Sequence, residues 1–156
     1  MQVEGSVEVK APREVVFHSM MDPGCLSQAV PGCEQLTLLG PSEYAMTIKI
    51  GIAAVKGTYS GRIRLDEIVT PEGYRMTIEG SSGIGIIKGV GNISLVEGDG
   101  NTKVLYNGNI QVSGKIASVG NRFLGTIAKM LIGKFFDGMA KQIHNIQPKL
   151  GVDKQA

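Results

Sequence analysis

The sequence has 156 residues and a formal net charge of +2, and aromatic residues make up 5% of it. This length is typical of one domain that buries about two thirds of the surface its unfolded chain exposes. So small a charge and so few aromatic rings exclude a typical nucleic-acid-binding protein. Cys25 and Cys33 are the only cysteines and form no CxxC pair or zinc-ligand spacing, so we expect two reduced, largely buried thiols.

The first residues lack the basic segment and apolar run of a signal peptide. No stretch approaches the roughly 18 consecutive apolar residues of a membrane-spanning helix. We therefore expect a cytoplasmic protein.

The first third of the sequence predicts a strand followed by two short helices. Residues 3–9 alternate valine or glycine with polar side chains, as in a strand with one solvated face. Pro12 suits the first turn of a helix, because the N–H that it lacks has no helical partner there. Asp22-Pro23 ends this helix and can cap a second one. A strand follows over about residues 33–39.

The middle of the sequence predicts a meander of strands. Apolar and polar side chains alternate in five further segments, at about residues 44–50, 59–65, 74–80, 86–95 and 104–112. Turn-forming sequences separate several of them, such as TPEG at 70–73 and GDGN at 98–101. Because the connections between consecutive strands are short, we expect antiparallel pairing throughout.

The longest regular segment is a helix predicted over residues 116–146, which contain no proline. Its apolar side chains cover roughly 200° of the circumference, wider than the stripe of about 100° that one packing surface needs. A sheet with an apolar inner face must cover that face, and only this helix is large enough. The sequence therefore predicts an α+β fold, in which a curled antiparallel sheet of six or seven strands wraps around the long C-terminal helix. We expect one domain over residues 1–147 and a short tail at 148–156.

The positions assigned to the inner face of the sheet include no charged side chain but several glycines. They are Gly5, Gly61, Gly80, Gly89, Gly91 and Gly108. Two explanations stay open: bends that let the sheet curl, or an incompletely filled cavity that accepts an apolar ligand. For such a cavity we predict the lining residues Met46, Ile48, Tyr59, Gly61, Met76, Ile78, Gly91, Ile93, Tyr106, Gly108, Ile110, Phe123, Ile127 and Leu131.

Several segments, in order over about residues 1–146, resemble the CoxG family of carbon monoxide dehydrogenase subunits. They are VKAPREVVF at 9–17, Asp22-Pro23, VPGCE at 30–34, GIAAVKG at 51–57, Lys88-Gly89, GKIASVGNR at 114–122 and Phe135-Phe136. Phe17 stands where the family often has tryptophan, and Ala53-Ala54 where it more often has Gly-Pro. That family is similar to the helix-grip superfamily of lipid-transfer (START and Bet v 1-like) and polyketide-cyclase domains. The resemblance thus implies a sheet wrapped around a C-terminal helix, with a hydrophobic cavity.

The resemblance also implies a supporting role beside a molybdenum hydroxylase of the carbon monoxide dehydrogenase type. In that role the protein would recruit the enzyme to the membrane or carry a quinone or another lipid. Some members of the family carry a C-terminal membrane-anchoring extension. The sequence stops at Ala156 without one, so we expect only weak, peripheral contact with the inner face of the membrane.

No arrangement of residues typical of catalysis stands out. We interpret His18 and His144 as satisfied or exposed side chains, and the glycine run at 83–91 fits neither GxGxxG nor the P-loop pattern. The inward set supplies no base or nucleophile, so we expect no enzyme activity, no cofactor and no metal. The polar inward candidates are Tyr59, Tyr74 and Tyr106. Their hydroxyls either pack at a rim or meet a ligand carbonyl or hydroxyl.

Lys129, Lys134 and Lys141, with Arg122, make the outer side of the predicted helix mildly basic. This pattern fits a solvated face, or docking to anionic lipid or an acidic partner. The leading functional hypothesis is a non-enzymatic carrier of a lipophilic molecule such as a quinone. A cyclase or dehydratase on the same scaffold is the alternative, and it needs a buried acid or base that the inward set lacks. An assembly module with an incidental cavity is the third hypothesis.

Overall fold

The computed structural model describes the backbone of residues 1–155 and the side chains of residues 1–146. In this part of the chain, one sheet of seven strands is covered by three α-helices. The strands are β1 (Gln2–Val9), β2 (Cys33–Gly40), β3 (Glu43–Ile50), β4 (Gly57–Val69), β5 (Gly73–Ser82), β6 (Gly85–Glu97) and β7 (Thr102–Ser113). The helices are α1 (Arg13–Met21), α2 (Pro23–Ala29) and α3 (Asn121–Gln155).

The predicted α+β architecture is confirmed. The strand order is β1-β7-β6-β5-β4-β3-β2, and each neighbouring pair is antiparallel, so β2 to β7 form a meander and β1 closes on β7. The two short helices follow β1, and the curled sheet wraps around the long C-terminal helix.

The long helix begins later than predicted. Residues 116–120, which the prediction included, lie in a separate 3-10 helix at Lys115–Val119 and its C-terminal cap. Gly114 and Gly120 flank this segment with φ angles of 84° and 94°. This left-handed backbone cannot continue an α-helix, and glycine adopts it without steric cost. Residues 148–155, expected as a tail, continue α3, and Ala156 lies outside the described residues.

Hydrogen bonds fix the short helices against the sheet. The Asp22 carboxylate accepts a hydrogen bond from the Cys25 N–H at 2.9 Å, as predicted for a helix cap. The Tyr44 hydroxyl donates to the carbonyl oxygen of Met21 at 2.6 Å, and the buried Thr102 hydroxyl donates to that of Ala11 at 2.8 Å. The end of the sheet that contains the β6–β7 hairpin is therefore tied to α1.

The buried side chains form two separate clusters. The first core cluster joins α1, α2 and the later part of α3 to the sheet, and includes Phe17, Tyr44, Tyr74, Val104, Phe136, Met139 and Ile143. The second core cluster joins the beginning of α3 to the loops at the other end of the sheet, and consists of Val55, Tyr59, Ile116, Leu124 and Ile127. The helix therefore meets the sheet through two packed regions, one toward each of its ends.

Candidate functional site

Three isoleucines on the concave face of the sheet belong to neither core cluster. Ile48 on β3, Ile78 on β5 and Ile110 on β7 are each partly exposed to solvent. Ile78 and Ile110 both pair with Gly89 of β6, so they flank a position without a side chain. Apolar side chains beneath a covering helix stay partly exposed only where space remains beside them. We call these three residues the middle band.

The predicted lining residues are distributed over the whole inner face. Ile93 lies in the first core cluster, and Tyr59 and Ile127 lie in the second. Met46 is also buried. The half-buried members pack on the edge of a core cluster: Met76 and Tyr106 on the first, and Leu131 on the second. With the middle band, they leave an apolar strip between the two clusters, and its role as a ligand cavity stays a prediction.

The prediction that Phe123 faces the sheet was wrong. Its side chain is 49% exposed, whereas the neighbouring Leu124 is 6% exposed and belongs to the second core cluster. Consecutive helical residues point about 100° apart, so only one of the two can face the sheet. The face of α3 that is buried against the sheet is therefore rotated by about one residue from the face that the apolar side chains predict.

Several inward glycines permit close approach of neighbouring strands. Gly91 and Gly108 pair directly, and a Cβ added to either would lie 2.9 Å from a carbonyl oxygen of the opposite strand. Gly61 pairs with Gly80, and a Cβ at Gly61 would overlap the carbonyl oxygen of Glu79. The missing side chains at Gly61, Gly91 and Gly108 are therefore explained by backbone contact. All three are half-buried, and their place in a cavity lining stays a prediction.

Two other inward glycines have room for a side chain. A Cβ at Gly80 would meet its nearest atom, the carbonyl oxygen of Ser60, at 3.7 Å, and one at Gly89 would meet Ile110 Cγ1 at 3.6 Å. Both are ordinary van der Waals distances. Gly80 is also partly exposed, so it borders accessible space.

The three inward tyrosines differ in what their hydroxyls contact. The Tyr59 hydroxyl donates to the carbonyl oxygen of Val55 at 2.7 Å inside the second core cluster, so it holds the β3–β4 connection. The ring of Tyr106 stacks on Phe136, with ring centroids 6.3 Å apart. Among the described residues, the hydroxyls of Tyr74 and Tyr106 have no hydrogen-bond partner. These two hydroxyls remain candidates for contact with a ligand.

Burial raises the pKa of several groups. Desolvation, and secondarily the nearby Tyr44, raises the pKa of Tyr74. Desolvation raises the pKa of Tyr44, and Asp22 adds to this. Both cysteines are free thiols, Cys25 buried and Cys33 half-buried, and desolvation raises the pKa of each. Because each of these groups is held in its neutral form, none is activated as a nucleophile or base.

The predicted basic stripe on α3 is not continuous. Lys129, Lys134 and Lys141 are all exposed. Positions five apart on a helix point about 140° apart, whereas positions seven apart share a face. Lys134 therefore shares a face with Lys141, and Lys129 shares a different one with Arg122. Whether any of these cations docks to a partner stays a prediction.

Sequence reasoning missed two surface depressions. One, of about 430 Å³, is lined by Glu14, Val15, His18, Ser19, Asp22, Cys25 and Ile146. The available signal was the four-residue spacing of Glu14 and His18, which share one face of α1, with Asp22 following at the end of that helix. Within the described residues, no three His, Cys, Asp or Glu side chains are grouped so as to hold a metal ion. Nor does the described part of the chain contain a helix that is long and apolar enough to span a bilayer.

The second depression is a groove of about 540 Å³ at the free end of β7, beyond the point where β1 begins. It is lined by Met1, Ile86, Lys88, Ile110, Gln111, Val112, Ser113, Ala117 and Asn121. Ile110 and Val112 are inward positions of β7, whereas Lys88 and Gln111 pair on the outer face. No pattern in the sequence locates this groove, because strand pairing creates it.

Comparisons with known proteins support the fold. The CoxG family of carbon monoxide dehydrogenase subunits matches residues 5–144. A conserved protein of Geobacillus kaustophilus is 38% identical, with 93% of this chain and 96% of that one covered and a TM-score of 0.90. A START superfamily protein of Mycobacterium smegmatis is 14% identical, with 93% and 98% covered and a TM-score of 0.73. The Zhui aromatase/cyclase of Streptomyces sp. R1128 is 15% identical, with 92% and 93% covered and a TM-score of 0.67. Among curated proteins, none is similar enough to count as a match.

Proposed function

Because the chain belongs to the CoxG family of carbon monoxide dehydrogenase subunits, we propose that it is a non-enzymatic carrier of a lipophilic small molecule. The cargo is a quinone, or a lipid of similar polarity, held between the sheet and α3. The family name points to a molybdenum hydroxylase of the carbon monoxide dehydrogenase type as the enzyme that the carrier serves. The cargo would then connect that enzyme to the membrane.

The observation that carries the proposal is the middle band. Ile48, Ile78 and Ile110 face inward and are only partly buried, although the two core clusters toward either end of the helix consist of buried residues. Leaving apolar surface accessible forfeits roughly 25 cal/mol for each Å² that could have been buried. A lipophilic cargo recovers this free energy when it enters. The gap between two solid cores is thus well suited to a removable apolar ligand.

The chemistry of the inner face favours binding over catalysis. The inward positions of the described strands carry no His, Asp, Glu, Lys or Arg side chain. Acid–base catalysis needs such a group within hydrogen-bond reach of the reacting atoms. The unpartnered Tyr106 hydroxyl can instead donate a hydrogen bond to a quinone carbonyl, which orients a cargo without transforming it.

The test fills the space with a side chain and measures cargo binding with decyl-ubiquinone. With ligand at about a hundred times its Kd, the parent should gain about 2.7 kcal/mol of unfolding free energy. Gly80→Leu places a side chain where a Cβ has ordinary contacts, so the variant should fold but lose most of this gain. Gly61→Ala is the matched control on the paired strand. It should lose roughly 1–3 kcal/mol of stability through backbone overlap but keep its response to ligand.

Two outcomes contradict the proposal. A parent protein whose unfolding transition does not respond to decyl-ubiquinone, and which carries no lipophile in native mass spectra after exposure to it, is not such a carrier. An equal ligand response in the parent and in Gly80→Leu would place the cargo outside the space beneath the sheet.

A further inference from the structure

One end of the molecule is built from connections between regular elements. Residues 51–56, 83–84 and 114–120 meet the beginning of α3 in and around the second core cluster, which includes Val55, Ile116 and Leu124. We call these connections, together with residues 121–130 of α3, the loop end.

The loop end carries positive charge without any acidic residue. None of its segments contains Asp or Glu. Its cations, all exposed, are Lys56, Lys115, Arg122 and Lys129. Such a local excess creates a positive potential even though the formal charge of the whole chain is only +2.

Most acidic residues of the strands and short helices lie toward the other end of the sheet or on α1 and its cap. They are Glu8, Glu14, Asp22, Glu43, Asp66, Glu67, Glu72, Glu97 and Asp99, whereas Glu4, Glu34 and Glu79 lie on strand segments nearer the loop end. Lys10, Arg13, Arg64, Arg75 and Lys103 are the basic residues there, and Arg13 is 3.9 Å from Glu97. The charge is therefore segregated along the molecule, and a negative surface would attract the loop end while repelling the opposite one.

Large apolar side chains are exposed at the loop end as well. Phe123 is 49% exposed and Met130 is 40% exposed. They are seven residues apart on α3 and so share a face. Ala53 and Ala54, in the connection between β3 and β4, are also exposed. Exposed rings and thioethers flanked by cations are typical of surfaces that insert into the headgroup region of a bilayer.

The groove of about 540 Å³ opens at the same end. Its lining includes Asn121, the first residue of α3, together with Ile110 of the middle band. Lys88, which lies across from Glu79 on the neighbouring strand, stands at its outer rim. The groove therefore borders the loop end through Ala117 and Asn121 and the middle band through Ile110.

We infer that the loop end is a docking surface for an anionic bilayer, with Phe123 and Met130 inserted and the four cations among the lipid headgroups. Its purpose as a site of cargo exchange rests on the proposed carrier function, but docking itself needs no cargo. Each cation near an anionic surface strengthens adsorption about fivefold (about 1 kcal/mol). Four cations give weak, reversible adsorption that salt should reverse.

The first experiment is co-sedimentation of the full chain, without cargo, with vesicles of phosphatidylglycerol and phosphatidylcholine at low and high salt. Changing Lys56, Lys115, Arg122 and Lys129 to Gln should weaken binding about fivefold for each cation removed. The control changes Lys10, Lys103, Lys134 and Lys141 to Gln, which removes the same charge from exposed sites elsewhere and should leave binding close to that of the parent. Denaturation curves verify that both variants fold.

The second experiment uses the absence of tryptophan from the sequence. Phe123→Trp places a single tryptophan at the loop end, and its emission, excited selectively over that of the tyrosines, should shift to the blue when anionic vesicles are added, because the indole enters the interface. Leu38→Trp, at a side chain that is 50% exposed on the edge strand β2, is the control and should not shift.

The outcomes separate docking from carriage. Docking is overturned if the parent fails to bind anionic vesicles at low salt, binds neutral vesicles equally well, or loses equal affinity in both charge variants. It is also overturned if the two tryptophans shift alike. If the parent does not bind vesicles, an acidic protein becomes the alternative partner of the basic surface. Uptake of decyl-ubiquinone from solution, measured on the same variants, tests carriage alone and should survive the loss of docking.

Discussion

Single residues on the inner face divide into those that hold the fold and those that are free to meet a cargo. Tyr59 and Tyr106 illustrate the division, because both are inward tyrosines of the sheet. The hydroxyl of Tyr59 is committed to the carbonyl oxygen of Val55 within a buried cluster. That of Tyr106 has no partner among the described residues, and its ring is fixed by stacking on Phe136.

Removing these two hydroxyls should therefore have different effects. Tyr59→Phe leaves a buried carbonyl without its donor and should lower the free energy of unfolding by about 1 kcal/mol or somewhat more. Tyr106→Phe keeps the stacked ring and should leave stability unchanged while weakening the binding of decyl-ubiquinone. Urea denaturation with and without the quinone measures both effects. Equal stability of the two variants would mean that the Tyr59 hydrogen bond contributes nothing to the fold.

At the scale of elements, α3 combines two glycines with opposite roles. Gly133 is exposed, and an added Cβ would meet no atom within 4 Å. At Gly138 an added Cβ would lie 3.0 Å from Ala29 Cα and 3.1 Å from its carbonyl oxygen. Gly138 thus permits the close approach of α2 to α3, whereas Gly133 only weakens the helix.

Substitutions at the two positions should change stability in opposite directions. Gly133→Ala should raise the free energy of unfolding by about 0.5–1 kcal/mol through helix propensity alone. Gly138→Leu gains similar propensity but must displace α2, and should lower stability by about 1–3 kcal/mol. Thermal unfolding of both variants provides the measurement. A stabilised Gly138→Leu would show that α2 is free to move away from α3.

The elements also show what a sequence can and cannot predict. Alternation of apolar and polar residues correctly identified the strands, because the period of two follows from strand geometry itself. The beginning of α3 was misplaced because Ile116 is apolar and buried, yet it lies in a 3-10 helix between glycines of positive φ. The sequence does not decide why positions 91 and 108 are glycine, because a void beside the sheet and a close contact with the opposite backbone both favour a residue without a side chain. Only the pairing of the strands distinguishes these cases.

At the scale of the whole molecule, the two core clusters have different roles: the first stabilises the domain, and the second permits local opening. The first core cluster holds both short helices and includes the residues with the least exposure, such as Val16 and Met139. The second core cluster is smaller and depends on three connections, one of which contains the 3-10 helix at Lys115–Val119. Local opening draws on regions with few buried contacts. We therefore expect the loop end to open while the rest of the sheet stays folded, which gives a large cargo a path to the space beneath it.

Amide hydrogen exchange tests this division. Amides of residues 115–127 should exchange much faster than those in the centre of β6 and β7 or at residues 136–143 of α3. Binding of decyl-ubiquinone should slow exchange at the loop end, because the cargo occupies the space that opening exposes. It should also slow the amides in the middle of the sheet that exchange through global unfolding, because the bound cargo raises the free energy of unfolding of the whole domain.

A matched pair of substitutions in α3 makes this expectation specific. Ile127 is buried in the second core cluster and Ile143 in the first, with exposures of 7% and 1%. Truncation of either side chain to Ala should lower the stability of the native packing around it by about 2–5 kcal/mol. The contacts of Ile127 are lost both when the loop end opens and when the domain unfolds, so Ile127→Ala should accelerate exchange at the loop end and in β6 and β7 by similar factors. The contacts of Ile143 are lost only when the domain unfolds, so Ile143→Ala should accelerate exchange in β6 and β7 and leave the loop end nearly unchanged. If both variants accelerate all protected amides equally, the two clusters unfold as one unit and the cargo must enter by another path.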